Sequence, residues 1–226
     1  MSLPASPTKK TITMETQQPP EDNHEAARIY AALGLVESRK RAEKPPRALF
    51  LIAASLRRSI RKNEKFIQTS TRKTTPTITD FHSSRAPSLT VQQYMERIDK
   101  YANCSPSCYV VAFLYINRYL KRVGVRLTSL NVHRLLITAV MLAAKFMDDM
   151  FYDNAFYAVI GGLSIKEMNS LEVKLLFDMD FRLHVTVETF RRCCVKLEEE
   201  AAGGGNHGVK ESQAASTISG YTCRSI

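Results

Sequence analysis

The chain reads as an all-α protein built on one bundle of five helices, and three observations carry that reading. Helix-start signals recur at short intervals from residue 88 onward. Nothing between them alternates apolar and polar residues as a half-buried strand does. The connections they leave are short, as they are between antiparallel neighbours in a bundle.

Each element has its own local reason. Thr90-Val-Gln-Gln93 has capping-box form and opens a first helix to about Tyr101. Ser105 followed by Pro106 starts a second, because serine caps well and proline suits the first helical position. That segment, SCYVVAFLYINRYLKR, is apolar nearly all the way round, which predicts the buried centre of the bundle. Gly124 lies in the connection after it. Thr128 or Ser129 caps a third helix, which contains the run LLITAVMLAAKFMDD at 135–149. Asn154 caps a short fourth that Gly161-Gly162 ends. Ser164-Ile-Lys-Glu167 is a capping box for the fifth, which ends near Asp180. Thr186-Val-Glu188 begins one more helix, to about Glu200.

The sequence divides into an extension over 1–82, the bundle over 83–200 and a flexible tail over 201–226. The first 45 or so residues are polar and weakly patterned, so disorder is expected. Within them Ser6-Pro7-Thr8-Lys9 is a candidate site for a proline-directed kinase, with Ser6 the acceptor. From 46 to 65, Leu49, Ile52, Leu56 and Ile60 recur at helical spacing among basic residues. This amphipathic helix is read as packed on the outside of the main domain rather than lying on a membrane. Residues 66–86 read as a Ser/Thr/Pro linker.

Composition narrows the function classes. A chain of 226 residues, 44% apolar and 24% charged, is ordinary globular material. Its net charge of +10 raises the question of nucleic acid. Much of the excess, however, sits before residue 80, in Arg39-Lys40-Arg41, Arg57-Arg58 and Arg61-Lys62, so nucleic acid is not the favoured partner of the bundle. The five cysteines, 104, 108, 193, 194 and 223, form no CxxC pair and read as reduced thiols of an intracellular protein. No secretory signal is legible, and the apolar runs fall short of the roughly 20 residues a membrane span needs. A soluble protein of the nucleus, the cytoplasm or both is expected.

No catalytic constellation emerges. The histidines at 24, 82, 133, 184 and 207 are scattered, so neither zinc nor another cofactor is expected. Asp148-Asp149 with Asp153 resembles a carboxylate pair that holds magnesium against a diphosphate. The last aspartate is one position too far along and no second acidic motif accompanies it, so these acids read as a solvated helix end. The chain is not expected to be an enzyme.

Lys145 is the anomaly. It follows ten residues without a charge, and lysine is rarely fully buried. From the residues alone, its stem covers apolar surface while its amine reaches water, or it forms an ion pair within the chain.

Two stretches carry a family likeness: YMERIDKYANCSPSCYVVAFLYINRYLKR, and NVHRLLITAVMLAAKFMDDMFYDNAFYAVIGGLSIKEMNSLEVKLLFDMDFRLHV. From about Ser88 to Leu197 the chain resembles a cyclin box, and is most similar to the single-box plant U- or P-type cyclins, which resemble the phosphate-pathway cyclins of yeast. The resemblance implies a five-helix domain that binds and activates a cyclin-dependent protein kinase. It implies that Lys145 and Glu172 grip the kinase backbone near its αC helix, with Phe146, Met147 and Leu171 supplying apolar contact. It also implies an ion pair between the first two helices, where Arg97 fits but the expected aspartate reads Asn117. A hydrogen bond would then replace the ion pair, and a less stable bundle is expected. A competing reading keeps the fold but binds DNA, as the cyclin-fold repeats of a general transcription factor do.

Overall fold

A computed structural model of the chain describes residues 21–36, 44–69 and 77–203. Eight helices occupy them: α1 (Glu21–Ala32), α2 (Arg47–Thr69), α3 (Val91–Ala102), α4 (Pro106–Val123), α5 (Val132–Met147), α6 (Asn154–Gly161), α7 (Ile165–Asp178) and α8 (Val187–Ala202). The described residues contain no strand, and the protein is all-α.

Several boundaries follow from caps the sequence displays. Thr90 and Gln93 close a reciprocal capping box on α3. Ser164 accepts from the Glu167 backbone N–H on α7, and Thr186 from that of Thr189 on α8. Two starts differ from expectation. Asp153, not Asn154, caps α6, its Oδ1 accepting from the Phe156 N–H at 2.9 Å. Neither Thr128 nor Ser129 caps α5; Asn131 occupies that position and its Oδ1 instead accepts the Thr128 N–H at 2.9 Å. The longer asparagine side chain turns back to hold the preceding loop.

The buried centre is α5 rather than α4. Every residue of α5 from Leu135 to Ala144 is buried, whereas α4 turns Asn117 and Lys121 outward. The small residues of α5, Ala139, Ala143 and Ala144, leave room for neighbours on all sides. α4 lies against it along much of its length, with α3, α6 and α7 packed round the remainder.

The last turn of α6 shows why two glycines adjoin there. A Cβ at Gly161 would stand 3.1 Å from Ile137 Cγ1, so α6 can approach α5 this closely only without one. Gly162 has φ of +70°, a left-handed conformation that glycine adopts without steric cost.

The amphipathic helix α2 is part of the core. Leu49 and Ile52 have no exposed surface, and α2 packs against α3, α4 and α8. Its basic residues make the far edge of that contact: Arg47 pairs with Glu198 and Arg58 with Glu200 on α8. Residues 21–32, expected to be disordered, form α1, which rests on α8, with Leu33 buried just beyond it. Part of the expected linker is also ordered. Phe81 is fully buried edge-on to Tyr119 at 5.0 Å, and Arg134 donates to the backbone carbonyls of Asp80 and His82. Ser6, Cys223 and the tail beyond 203 lie outside the described residues.

Candidate partner-binding site

Three helices meet at Lys145. α5 delivers it from its last turn, α6 delivers Asn154 from its first position, and α7 delivers Glu172 from its middle. Lys145 Nζ donates to Glu172 Oε1 at 2.7 Å and also to Asn154 Oδ1. Asn154 Nδ2 donates to Glu172 Oε2 at 2.6 Å and to Asn169 Oδ1 at 2.8 Å. The lysine keeps 24% of its side chain exposed and the glutamate 14%, so the pair sits at a rim, reachable from outside. Lys145 is thus held by an intramolecular ion pair, one of the two arrangements its sequence context left open. Two opposite charges and two amides, oriented by one another, present donors and acceptors in fixed positions.

Around this polar centre the surface is unusually apolar. Phe146, Met147, Met150, Phe151 and Tyr152 are all exposed, Met150 to 86%. Tyr152 stacks on Phe156 with ring centroids 3.9 Å apart, which fixes the ridge against α6. On α7, Val173 and Phe177 are exposed and Phe181 follows, its ring edge-on to Phe177. Exposed apolar groups gathered in this way mark interaction surfaces.

Of the apolar residues named beside Lys145, Phe146 is exposed on this surface and Leu171 is not. It is 2% exposed, on the inward stripe of α7 with Met168 and Leu175, three and four residues apart. Its neighbour Glu172 faces the rim because one residue rotates a helix by about 100°. The expected pair between Arg97 and Asn117 is also absent. Arg97 is exposed and donates to the Val159 carbonyl at 3.3 Å, and Asn117 is exposed on α4. The first two bundle helices are joined instead by Tyr109, whose hydroxyl donates to Asp99 at 2.9 Å.

The acidic run after α5 has structural work. Asp148 Oδ2 accepts the Ser105 N–H at 2.9 Å and lies 3.4 Å from Cys108 Sγ, tying the end of α5 to the start of α4. Asp153 caps α6. Among the described residues no cluster of histidine, cysteine and acidic side chains is arranged to hold a metal ion. Nor is any described helix long and apolar enough to cross a membrane.

Sequence reasoning did not find Asn154 and Asn169 as members of this site. Asn154 carries a strong helix-start signal that accounts for it locally, and only the approach of α7 gives its side chain a second partner.

The cyclin family model matches residues 47–183, more than half of the chain. The chain belongs to the cyclin family. It is 50% identical over 179 residues to Cyclin-P3-1 of Oryza sativa subsp. japonica, covering 79% of this chain and 75% of that protein. It is 42% identical over 178 residues to Cyclin-U3-1 of Arabidopsis thaliana, covering 78% and 79%. Cyclin-U1-1 of the same plant is 44% identical over 156 residues, covering 69% of this chain and 74% of its own. This cyclin is therefore of the plant U/P type. The match begins where α2 begins, which agrees with the burial of α2 and places the start of the domain well before residue 83.

Proposed function

We propose that this cyclin is the regulatory subunit of a cyclin-dependent protein kinase, binding the kinase through the Lys145 rim and activating it by positioning its αC helix. The observation that carries the reading is the Lys145–Glu172–Asn154 cluster set among exposed Phe146, Met147 and Met150. A kinase helix end offers backbone carbonyls and amides together with apolar side chains. The cluster can meet the first with its ammonium and carboxylate, and the ridge can meet the second.

The mechanism is positional. A kinase is competent when the lysine of its third strand pairs with the αC glutamate. A protein that binds only the αC-in arrangement shifts the population by its differential affinity, about 1.4 kcal/mol for each tenfold. The cyclin supplies no reacting group. Regulation of cell division or of a nutrient response, in the nucleus or the cytoplasm, is the setting this reading suits.

A DNA-binding role is the second reading, favoured by one observation. Arg57, Arg61, Lys62 and Lys65 on α2 have no ion-pair partner among the described residues. That face lies away from the Lys145 rim, so the two readings make different residues essential.

The deciding experiment measures binding of the full chain to a panel of plant cyclin-dependent kinases, beside the Lys145→Ala/Glu172→Ala double variant. Binding that the double variant loses, while its circular dichroism stays helical, supports the kinase reading. Equal binding by both proteins, or none by either, defeats it. Duplex DNA affinity that falls steeply with salt and vanishes in Arg57→Glu/Arg61→Glu would put the second reading in its place.

A further inference from the structure

The last turns of α2 run past the bundle, and neither the core nor the kinase reading uses what they carry. The buried stripe of this helix holds Leu49, Ile52, Leu56 and Ile60. Two turns beyond Ile60, on the same stripe, Ile67 is exposed, and Phe66 beside it is half-exposed.

Hydrogen bonds tie this end of α2 to two connecting segments. Asn63 Nδ2 donates to the Leu127 carbonyl at 2.9 Å, and Glu64 Oε1 accepts the Ser129 N–H at 2.9 Å. The Ser83 N–H donates in turn to the Leu130 carbonyl at 2.8 Å, and Asn131 Nδ2 lies 3.2 Å from His82 Nε2. One corner of the molecule therefore gathers residues 61–67, 126–130 and 78–83. Phe66, Ile67, Leu130 and Ile78 are all exposed there, Ile78 to 80%.

Cations surround these apolar groups. Arg61, Lys62 and Lys65 are exposed on α2, and the Arg126 guanidinium stands over the Phe66 ring, 4.1 Å from its centroid. None of the four has an ion-pair partner among the described residues. Two acids share the corner: Glu64, turned onto Ser129, and the exposed Asp80. The balance stays positive.

We infer that this corner docks on an anionic lipid surface, the four cations meeting charged headgroups while Phe66, Ile67 and Ile78 enter the boundary of the acyl chains.

A bilayer interface is charged in its outer layer and hydrocarbon in the next, and a cluster of exposed apolar side chains ringed by cations matches both. The phosphates of a nucleic acid would meet the cations but offer nothing apolar to Ile67 and Ile78. The rest of α2 cannot enter the lipid, because its apolar stripe is buried against the bundle. Contact is therefore by a tip, shallow and reversible, and charge sets much of its strength.

The corner and Lys145 lie at opposite ends of α5, since the helical rise from Asn131 to Lys145 is about 21 Å. A protein held at a membrane by this corner keeps the Lys145 rim uncovered. The inference neither needs the kinase reading nor conflicts with it.

The chain contains no tryptophan, so Phe66→Trp installs a single reporter at the corner. The full-length variant is mixed with vesicles of phosphatidylcholine, alone or with about one-third phosphatidylserine. The expected result is co-sedimentation with the mixed vesicles only, accompanied by a blue shift of the tryptophan emission. Phe146→Trp, at the other end of α5, should bind equally and show no shift. Each basic residue at such a surface contributes about fivefold in affinity, so Lys62→Ala/Lys65→Ala should weaken binding more than about tenfold. Phe66→Ser keeps every charge and should weaken it too, with circular dichroism confirming that both variants fold. Equal binding to the two kinds of vesicle, binding to neither, or an unshifted Phe66→Trp on vesicles that sediment the protein overturns the inference. So does duplex DNA that competes the protein off the vesicles and is bound as well by Phe66→Ser as by the wild type, which would assign the cations to nucleic acid.

Discussion

Lys145 is supported from two helices at once, and that makes its removal informative in two ways. Lys145→Ala leaves the Glu172 carboxylate, which is largely buried, with only Asn154 as donor. An underpaired group of this kind costs about 1–3 kcal/mol, so urea denaturation should show a loss of that order with helicity retained. Lys145→Ala/Glu172→Ala removes both charges and should recover part of it, because no charge is then left stranded. If the double variant is less stable than the sum of the single ones, the pair is not the unit described above. Asn117 invites the opposite expectation. It is exposed and does not meet Arg97, so Asn117→Asp should change stability by less than about 0.5 kcal/mol. A clear rise in melting temperature would show that the charge finds a partner the present geometry does not provide.

At the scale of the element, the caps decide the boundaries. Asp153 holds the first turn of the eight-residue α6, and Asp153→Ala should cost about 1 kcal/mol, read from the denaturation midpoint. Gly162→Ala places a Cβ on a backbone at φ +70°, and a cost of about 1 kcal/mol is expected from the same measurement. These helices were legible in the sequence because capping residues and proline act locally: Thr90, Ser105, Ser164 and Thr186 announce their helices without reference to the rest of the chain. What was not legible depends on approach between segments. The choice of Asp153 over Asn154 turns on which side chain α7 captures. The burial of Leu171 beside an accessible Glu172 turns on the rotation of α7 against α5. Lys145 and Glu172 were named from family likeness, and no spacing rule in the chain would have paired positions 27 residues apart.

For the whole molecule, the extension carries more of the core than its composition suggested. Leu49, Ile52 and Leu56 are buried against the bundle, so a fragment spanning 80–200 lacks one wall. Burying a leucine or isoleucine is worth about 1.5–3 kcal/mol, and three of them rival the stability of a small domain. The 80–200 fragment should therefore unfold without a cooperative transition, whereas 44–203 should show one in thermal scans by circular dichroism. Acid should also weaken the protein. Burial depresses the pKa of His82, which lies 3.2 Å from Asn131, and of His133, which is hydrogen-bonded to the Leu89 carbonyl, below the ordinary 6.5. The unfolded chain takes up protons first as pH falls through 6.5, so stability present above that pH is lost below it. The melting temperature should fall between about pH 7 and about pH 5, and His133→Gln should flatten that fall.

The clasp between α2 and α8 has a further consequence, for how the protein is made. A ribosome delivers α2 early and α8 late, and between them come all the helices of the central bundle. Until Glu198 and Glu200 emerge, Arg47 and Arg58 have no counter-charge on α8, and the side of α2 that α8 covers stays open. A nascent chain stalled before residue 187 would thus display an incompletely covered apolar flank, the kind of surface that chaperones recognise. The order of synthesis leaves the first wall of the domain to be closed by its last helix.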